Sequence, residues 1–221
     1  MMAVFEKGER LRHIGHLDIQ RAMQRAMRRS ALPVRYSQGF NPHILVTFAS
    51  ALSTGAAGRR EIMDVTMDSD VTPESFMAAM NQALPPDMRL ISCRVMDDKH
   101  PALMAMVAAA EYELRVTDAE AAAKLIAAIA PLLAQETIPA MRRTKSGVKE
   151  CDCKPLIHSL RGEGSSILAV MTLTEHESCK PDMLISALSS AAGIEPPRVM
   201  VIRLGLLGRD AKGGLVPLET L

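Results

Sequence analysis

Two stretches of the chain, each about 100 residues long, run through the same order of hydrophobic periodicities, and that order limits the fold more than any other feature. In residues 1–98 the apolar run Ala3–Phe5, with Leu11 beyond a break near Gly8, reads as an opening strand. Within His16–Ser30 the apolar residues Ile19, Ala22, Met23, Ala26 and Met27 recur at the spacing of one helical face, and Pro33 stops the helix. Residues 33–43 are turn-like, punctuated by Gly39 and Asn41-Pro42. Ile44–Phe48 is a nearly continuous apolar strand, Ser53–Arg60 reads as a glycine-containing loop, and Ile62, Met63, Val65 and Met67 mark a third strand. Thr72 and Pro73 suit the N-cap and first position of a second helix, which Pro85-Pro86 ends. Leu90–Met96 makes the fourth strand. The order β-α-β-β-α-β predicts a ferredoxin-like unit, an antiparallel sheet with its helices on one face.

The second stretch repeats this order. A connection over residues 99–110, helix-like across Pro101–Ala110, leads to a half at 111–208. Its elements are a strand at Tyr112–Val116, a helix over 119–134 capped by Asp118, strands within 138–160, and a strand at Ile167–Thr174. A helix over 181–192, opened by Pro181 and ended by Gly193, and a last strand at Val199–Leu204 complete it. Residues 209–221, with Gly213-Gly214, read as a flexible tail. No residue-level identity joins the halves, so the duplication rests on element order. The expected fold is α+β, two tandem ferredoxin-like halves. A length of 221 residues accommodates two domains of that size.

Charge divides the same chain differently. Net charge is +1, yet residues 1–60 hold ten Lys/Arg against three Asp/Glu, while residues 61–135 hold five against twelve. A basic end on a neutral average points to an anionic partner met locally. No apolar stretch approaches membrane-spanning length, and the first residues lack a charged-then-apolar leader pattern, so no membrane partner and a cytoplasmic location are expected. The four cysteines, Cys93, Cys151, Cys153 and Cys179, are too sparse for a disulfide framework and read as reduced thiols. Cys151 and Cys153, two apart on a strand, share a face and read as small core groups.

The basic residues cluster on the first helix. Arg21, Arg25 and Arg28 fall at i, i+4 and i+7 with Arg29 beside them, opposite the apolar stripe. Lys7, Arg10 and Arg12 extend the run, seven basic residues within 23. The planar guanidinium fork suits phosphate oxygens, and a basic stripe is the footprint expected for nucleic acid. The alternative is a solvated face paired with acids from residues 61–75. The following segment Tyr36–His43 combines stacking rings (Tyr36, Phe40) with polar groups (Ser37, Gln38, Asn41) and His43, the mixture that reads unpaired bases. Its alternative places Phe40 in the core and Asn41-Pro42 in a plain turn.

Catalysis is only faintly indicated. His16 with Asp18 offers an acid–base pair, and His13, His16 and His43 could converge, but no spacing is diagnostic. Ser53–Gly58 lacks the lysine of a phosphate loop. Arg142–Lys149 is a basic loop that fits either an anion contact or a solvated turn. No metal and no cofactor are expected.

The strings Gly15-His16-Leu17-Asp18, Arg28-Arg29, Leu32-Pro33, Tyr36–His43 and Phe48-Ala49 resemble the radical-SAM-associated domain of unknown function 2344. So do Leu103–Ala105, Ala109–Tyr112 and Lys149–Ile157. The resemblance implies a partner radical SAM enzyme and an RNA substrate related to translation. This chain lacks C-x3-C-x2-C, so such an enzyme would be met in trans. It departs from the family pattern at Cys151 and Cys153, where an aliphatic residue is commoner, and at Ile44-Leu45, where Pro-Lys is commoner. The expected function is an RNA-binding accessory module, for tRNA or rRNA, with contacts from Arg12, Arg21, Arg25, Arg28, Arg29, Tyr36, Gln38, Phe40, Asn41 and His43. The alternatives are a metal-independent endoribonuclease using His16, assisted by Tyr36 or His43, and a protein–protein adaptor docking through the acidic stretch 61–135.

Overall fold

The computed structural model describes residues 1–97, 99–144 and 147–221, so Asp98, at the expected domain edge, and Lys145-Ser146, in the expected basic loop, lie outside the described residues. The chain is α+β and divides into two compact units. The first comprises residues 1–107 and 205–221, the second residues 108–204.

In the first unit β1 (Met2–Lys7), α1 (His16–Arg29), β2 (Val46–Phe48), β3 (Ala56–Val65), α2 (Pro73–Ala83) and β4 (Leu90–Arg94) follow in the expected order, with a short helix α3 (Leu103–Met106) after them. The central strand β1 pairs antiparallel with β3 on one side and β4 on the other, and β2 pairs antiparallel with β3. Alternation decides which residues meet the helices. Ala3 and Phe5 of β1, and Met63 and Val65 of β3, form one core with Ile19, Met23, Ala26 and Met27 of α1 and Phe76 and Met80 of α2. Met2, Val4 and Ile62 are buried as well, which is why these strands read as continuous apolar runs.

Local rules set the helix ends. Thr72 accepts a hydrogen bond from the Ser75 N–H and Pro73 takes the first helical position. Helix α1 ends differently: Ser30 is its last cap, and Ala31 follows at φ 53°, the left-handed conformation usually left to glycine. Ala31→Gly should relieve that strain and stabilise the unit by about 1 kcal/mol, read as a higher urea midpoint with an unchanged slope. A lower midpoint would show that the Ala31 methyl contributes more than its strain costs.

Expectation and structure part at three places here. Residues 56–60, read as loop, belong to β3, because Ala56, Ala57 and Gly58 are small enough to be buried where β1 pairs with them at Lys7–Gly58. Between Phe5–Glu61 and Lys7–Gly58 the register slips, β3 advancing three residues while β1 advances two. Lys7, expected in a surface patch, is buried. Finally, residues 209–221 are not a loose tail. After β10 (Val199–Arg209), Asp210 accepts hydrogen bonds from the N–H groups of Lys212 and Gly214, Gly213 adopts φ 83°, and β11 (Leu215–Pro217) returns antiparallel along β10. Leu218 is then buried and Glu219 pairs with Arg60.

The second unit is built from β5 (Ala109–Val116), α4 (Ala119–Ala127), α5 (Ile129–Ala134), β6 (Pro139–Thr144), β7 (Gly147–Asp152), β8 (Ile157–Glu163), β9 (Ser166–Thr172), α6 (Pro181–Ala192) and the start of β10. Strand order is β10-β5-β9-β8, and β6-β7 form a separate antiparallel hairpin. Asp118 caps α4 through the Ala121 N–H, and Gly193 ends α6 at φ 65°. The helix expected over 119–134 is two helices. Pro131 has no N–H and its ring crowds the carbonyl four residues back, at Ala127, where α4 stops. Gly162 of β8 permits a close approach by α4: a Cβ there would lie 2.5 Å from the Ile126 side chain. The expected basic loop Arg142–Lys149 is mostly the paired strands β6 and β7. Cys153 lies just beyond the end of β7 at Asp152, so it leaves the strand that holds Cys151.

Candidate functional site

Helix α1 presents its arginines outward as its apolar stripe requires, but the structure engages them unequally. Arg21 pairs with Asp18 at 3.0 Å, both well exposed. Arg29 donates to the Ala83 carbonyl at 2.7 Å, satisfying an otherwise open acceptor at the end of α2. Arg12 is half-buried and donates to the Glu9 carbonyl at 3.0 Å. Arg10 pairs with Asp87, Arg35 with Asp68, and Arg59 with Glu6 and Glu9. Arg25 and Arg28 are exposed, and among the described residues no carboxylate pairs with either. The basic end thus narrows from ten cations to two that are uncommitted, with Arg21 held only by an exposed pair that salt and ligand can displace. Of the acids in 61–75, Asp68 takes Arg35; the arginines of α1 use Asp18 and a carbonyl instead.

The segment after α1 closes into a loop with a fixed base. Tyr36 bridges Ile44, and the Ser37 N–H donates to the His43 carbonyl at 2.8 Å. The Ser37 hydroxyl accepts from the His43 N–H at 3.1 Å and lies 2.8 Å from His43 Nδ1. The hydroxyl oxygen has two lone pairs, so its bond with Nδ1 runs in the direction that the tautomer of the ring sets. Gly39 at φ 123° gives the turn a conformation that side chains disfavour. Phe40, next to it, is wholly exposed, at 112% of its reference area, and Tyr36 is 40% exposed. Gln38, Asn41, Pro42 and His43 are exposed too. Placing Phe40 in the core is therefore ruled out. An aromatic ring held in water on a hydrogen-bonded loop leaves about the whole apolar gain of burying a Phe, roughly 2–3 kcal/mol, for a partner to realise.

His16 sits elsewhere in the same unit. Its ring meets Phe48 edge-on at 5.2 Å, and Phe48 meets Phe5 edge-on at 5.8 Å. With Lys7, Ile19, Ser50, Leu52 and Glu61 these rings line a cavity of about 10 Å³. That is space for roughly one water molecule. Asp18, the suggested acid–base partner, is bound by Arg21. His13 is exposed, and His43 is tied to Ser37. Among the described residues no group of three or more His, Cys, Asp or Glu is placed to hold a metal ion.

Glu61 was not anticipated as a member of any site, and Lys7 was expected only in the basic run at the surface. Lys7 Nζ donates to the Arg12 carbonyl at 3.1 Å and the Ala56 carbonyl at 3.0 Å, joining the turn before α1 to the start of β3. Glu61 is buried beside it on the cavity wall, and a Cβ on Gly58 would lie 2.6 Å from its carboxylate. Gly58 was the available signal, a glycine three residues before a charged residue in an apolar strand.

A hollow of about 880 Å³ in this unit is lined by Asp64, Asp68, Asp70 and Asp97 against Arg35 and His100. Its acidity repels phosphate, so size does not make it the anion site. Among the described residues no helix is long and apolar enough to cross a membrane.

The family of uncharacterized proteins conserved in bacteria, DUF2344, matches residues 1–181, a span that contains α1, the Tyr36–His43 loop, the buried Lys7 and Glu61, and the β6–β7 hairpin. No curated protein matches the chain. The chain belongs to the DUF2344 family.

Proposed function

We propose that this DUF2344 member is an RNA-binding accessory module acting with a separate radical SAM enzyme in the cytoplasm, on tRNA or rRNA. The observation that carries the reading is Phe40, held in solvent on a hydrogen-bonded loop that follows a helix with two unpaired arginines. Arg25 and Arg28, with Arg21 once Asp18 is displaced, bind phosphates. Tyr36 and Phe40 stack on unpaired bases, and Gln38, Asn41 and His43 read their edges. Arg12 and Arg29 serve chiefly to hold the turn before α1 and the end of α2, and contribute only long-range charge. The fold reading that accompanies this is two ferredoxin-like halves. Its support is that each set of four strands takes the order fourth-first-third-second, β4-β1-β3-β2 and β10-β5-β9-β8, with two helices in the matching places and the β6–β7 hairpin inserted in the second.

The test is RNA binding by an Arg21/Arg25/Arg28 triple alanine variant. Affinity for cellular RNA should fall about tenfold or more near physiological salt, and the slope of log affinity against log salt should shrink by about 2. An unchanged slope would remove the arginines from the interface. Cleavage at His16 is the less favoured reading, because a space of about 10 Å³ beside its ring does not admit a phosphodiester. Incubation of total tRNA and rRNA with parent and His16→Ala protein separates the two readings. Cleavage lost with His16 would establish the enzyme, whereas co-purification with a radical SAM protein but no nucleic acid would establish an adaptor.

A further inference from the structure

The β6–β7 hairpin is the basic element that the RNA contacts of the first unit leave unexplained. Its two six-residue strands, each about 20 Å long, form a sheet of their own. Its base is fixed. Asp152 accepts hydrogen bonds from the N–H groups of Ile138 at 2.8 Å and Lys154 at 2.9 Å, and the Cys153 N–H donates to the Ile138 carbonyl at 2.8 Å. Strand register sorts its side chains. Arg142 and Lys149 stand directly opposite each other and share a face with Ala140 and Cys151, whereas Met141, Val148 and the acids Glu150 and Asp152 lie on the other face. Burial falls along the cationic face from the base outward: Ala140 is buried, Cys151 and Arg142 are half-buried, and Lys149 is exposed. Arg142 is held in place by donating to the His176 carbonyl at 3.3 Å. Glu175 and Glu177, in the turn that supplies that carbonyl, are exposed, and among the described residues no carboxylate pairs with Arg142 or Lys149. Like charges directly opposite on one face of a hairpin repel, so this pair weakens the hairpin unless an anion lies between them. Folding alone gives no reason to place them there.

We propose that this face of the hairpin is a second phosphate contact, and that it takes the backbone of double-stranded RNA. The contact presupposes the RNA-binding function proposed for the chain and adds to it the form of the ligand. Residues 139–152 contain no Phe, Tyr, Trp, Asn or Gln, so the hairpin lacks the rings that stack on unpaired bases and the amides that read their edges. What it offers is two cations at a spacing fixed by strand pairing, one of them already immobilised by a carbonyl. Such a pair gains most from phosphates that are themselves held in place. A duplex supplies these from two strands, across a wide, shallow minor groove that a narrow ribbon can approach. A single strand has to give up its freedom to present them. The first unit has the opposite preference, because Tyr36 and Phe40 need unpaired bases. An RNA that holds a stem beside an unpaired segment meets both needs.

Binding of the full-length protein to two probes tests this: a blunt RNA duplex of about 16 base pairs and an unstructured single strand of the same length. In Arg142→Ala/Lys149→Ala, duplex affinity should fall about tenfold or more near physiological salt, and the slope of log affinity against log salt should shrink by about 1–2. Single-strand affinity should change by less than about twofold, since the contacts of the first unit are intact. Lys149→Glu puts a carboxylate opposite Arg142. It should cost duplex affinity at least as much, yet leave the urea midpoint at or above that of the parent, a combination that a structural role for Lys149 does not give. Lys149→Arg should bind duplex as the parent does. Duplex affinity and slope unchanged in the double variant overturn the proposal, as does an equal loss for both probes. If the pair proves necessary instead for retaining an acidic protein, the partner is a protein and the RNA contact is refuted. Failure here is distinct from failure of the function proposed for the first unit: single-strand binding that depends on Arg25, Arg28 and Phe40 survives the one and is lost in the other. A parent that binds neither probe refutes both.

Discussion

Lys7→Met should lower the stability of the first unit by about 3–5 kcal/mol, the cost of removing one partner from a buried charged cluster. Methionine keeps the length and apolar body of the stem, so little of the loss comes from a cavity. What disappears is the ammonium. The carbonyl of Ala56, 3.0 Å away, loses a buried donor, while that of Arg12, 3.1 Å away, keeps the Gly55 N–H at 2.7 Å. An unsatisfied buried acceptor costs about 1–3 kcal/mol. Glu61, buried on the wall of the same cavity, loses a nearby positive charge. A domain with about 5–15 kcal/mol in total cannot ignore such a change. Two measurements check it. Urea unfolding should show a lower midpoint, and Lys7→Met combined with Glu61→Leu should cost less than the two single changes added together. A midpoint within about 1 kcal/mol of the parent, or strict additivity, would mean that Lys7 is a tethered surface cation that happens to be covered. The loss should also loosen the turn at residues 8–15, seen as faster amide exchange there, since Lys7 joins that turn to β3.

This cluster marks the limit of what could be read from the chain by eye. A lysine at the end of a strand reads as surface, and only the positions of two carbonyls, five and 49 residues away in sequence, reveal that it is not. Ala56–Gly58 reads as loop for a related reason: small residues carry no β signal, and their place in β3 is set by β1 lying against them. The opposite holds for α1, for Thr72-Pro73, for Asp118 and for Gly193. There the deciding interaction lies within one turn of helix, so the local pattern is enough. Pro131 was also a local signal, but the apolar pattern continues through Leu132 and masked it. At the candidate site, the outward direction of Arg21, Arg25 and Arg28 follows from periodicity. Which cations of the helix are already engaged does not, since Arg21 depends on Asp18 and Arg29 on where α2 ends. Phe40 is the clearest case. Its residue type argues for the core, and its exposure follows from Gly39 and the Ser37–His43 bonds, which fix the base of the loop while leaving its tip unsupported.

Phe40→Ala should weaken binding to single-stranded RNA by about 5- to 150-fold, the range that one base–aromatic stack contributes, while leaving the folded state untouched. The two halves of that expectation come from the same fact. A wholly exposed ring makes no contribution to the core, so its truncation changes stability by no more than about 0.5 kcal/mol. A loop whose base is already bonded has lost much of its freedom before any ligand arrives, which lowers the ordering cost of binding. The same ring should discriminate between forms of RNA. Bases inside a duplex are stacked on each other and offer no free face, so the loss should be large for single strands and small for duplexes of the same length. Salt separates this effect from that of the arginines. Phe40→Ala should shift affinity by the same factor at every ionic strength, whereas loss of Arg25 and Arg28 should flatten the salt dependence. Phe40→Trp should preserve or strengthen binding, and Phe40→Leu, of similar apolar area but without a π face, should recover little. Equal binding by the Ala, Leu and Trp variants would show that the ring stacks on nothing in the complex, and that the exposed aromatic meets a protein partner instead.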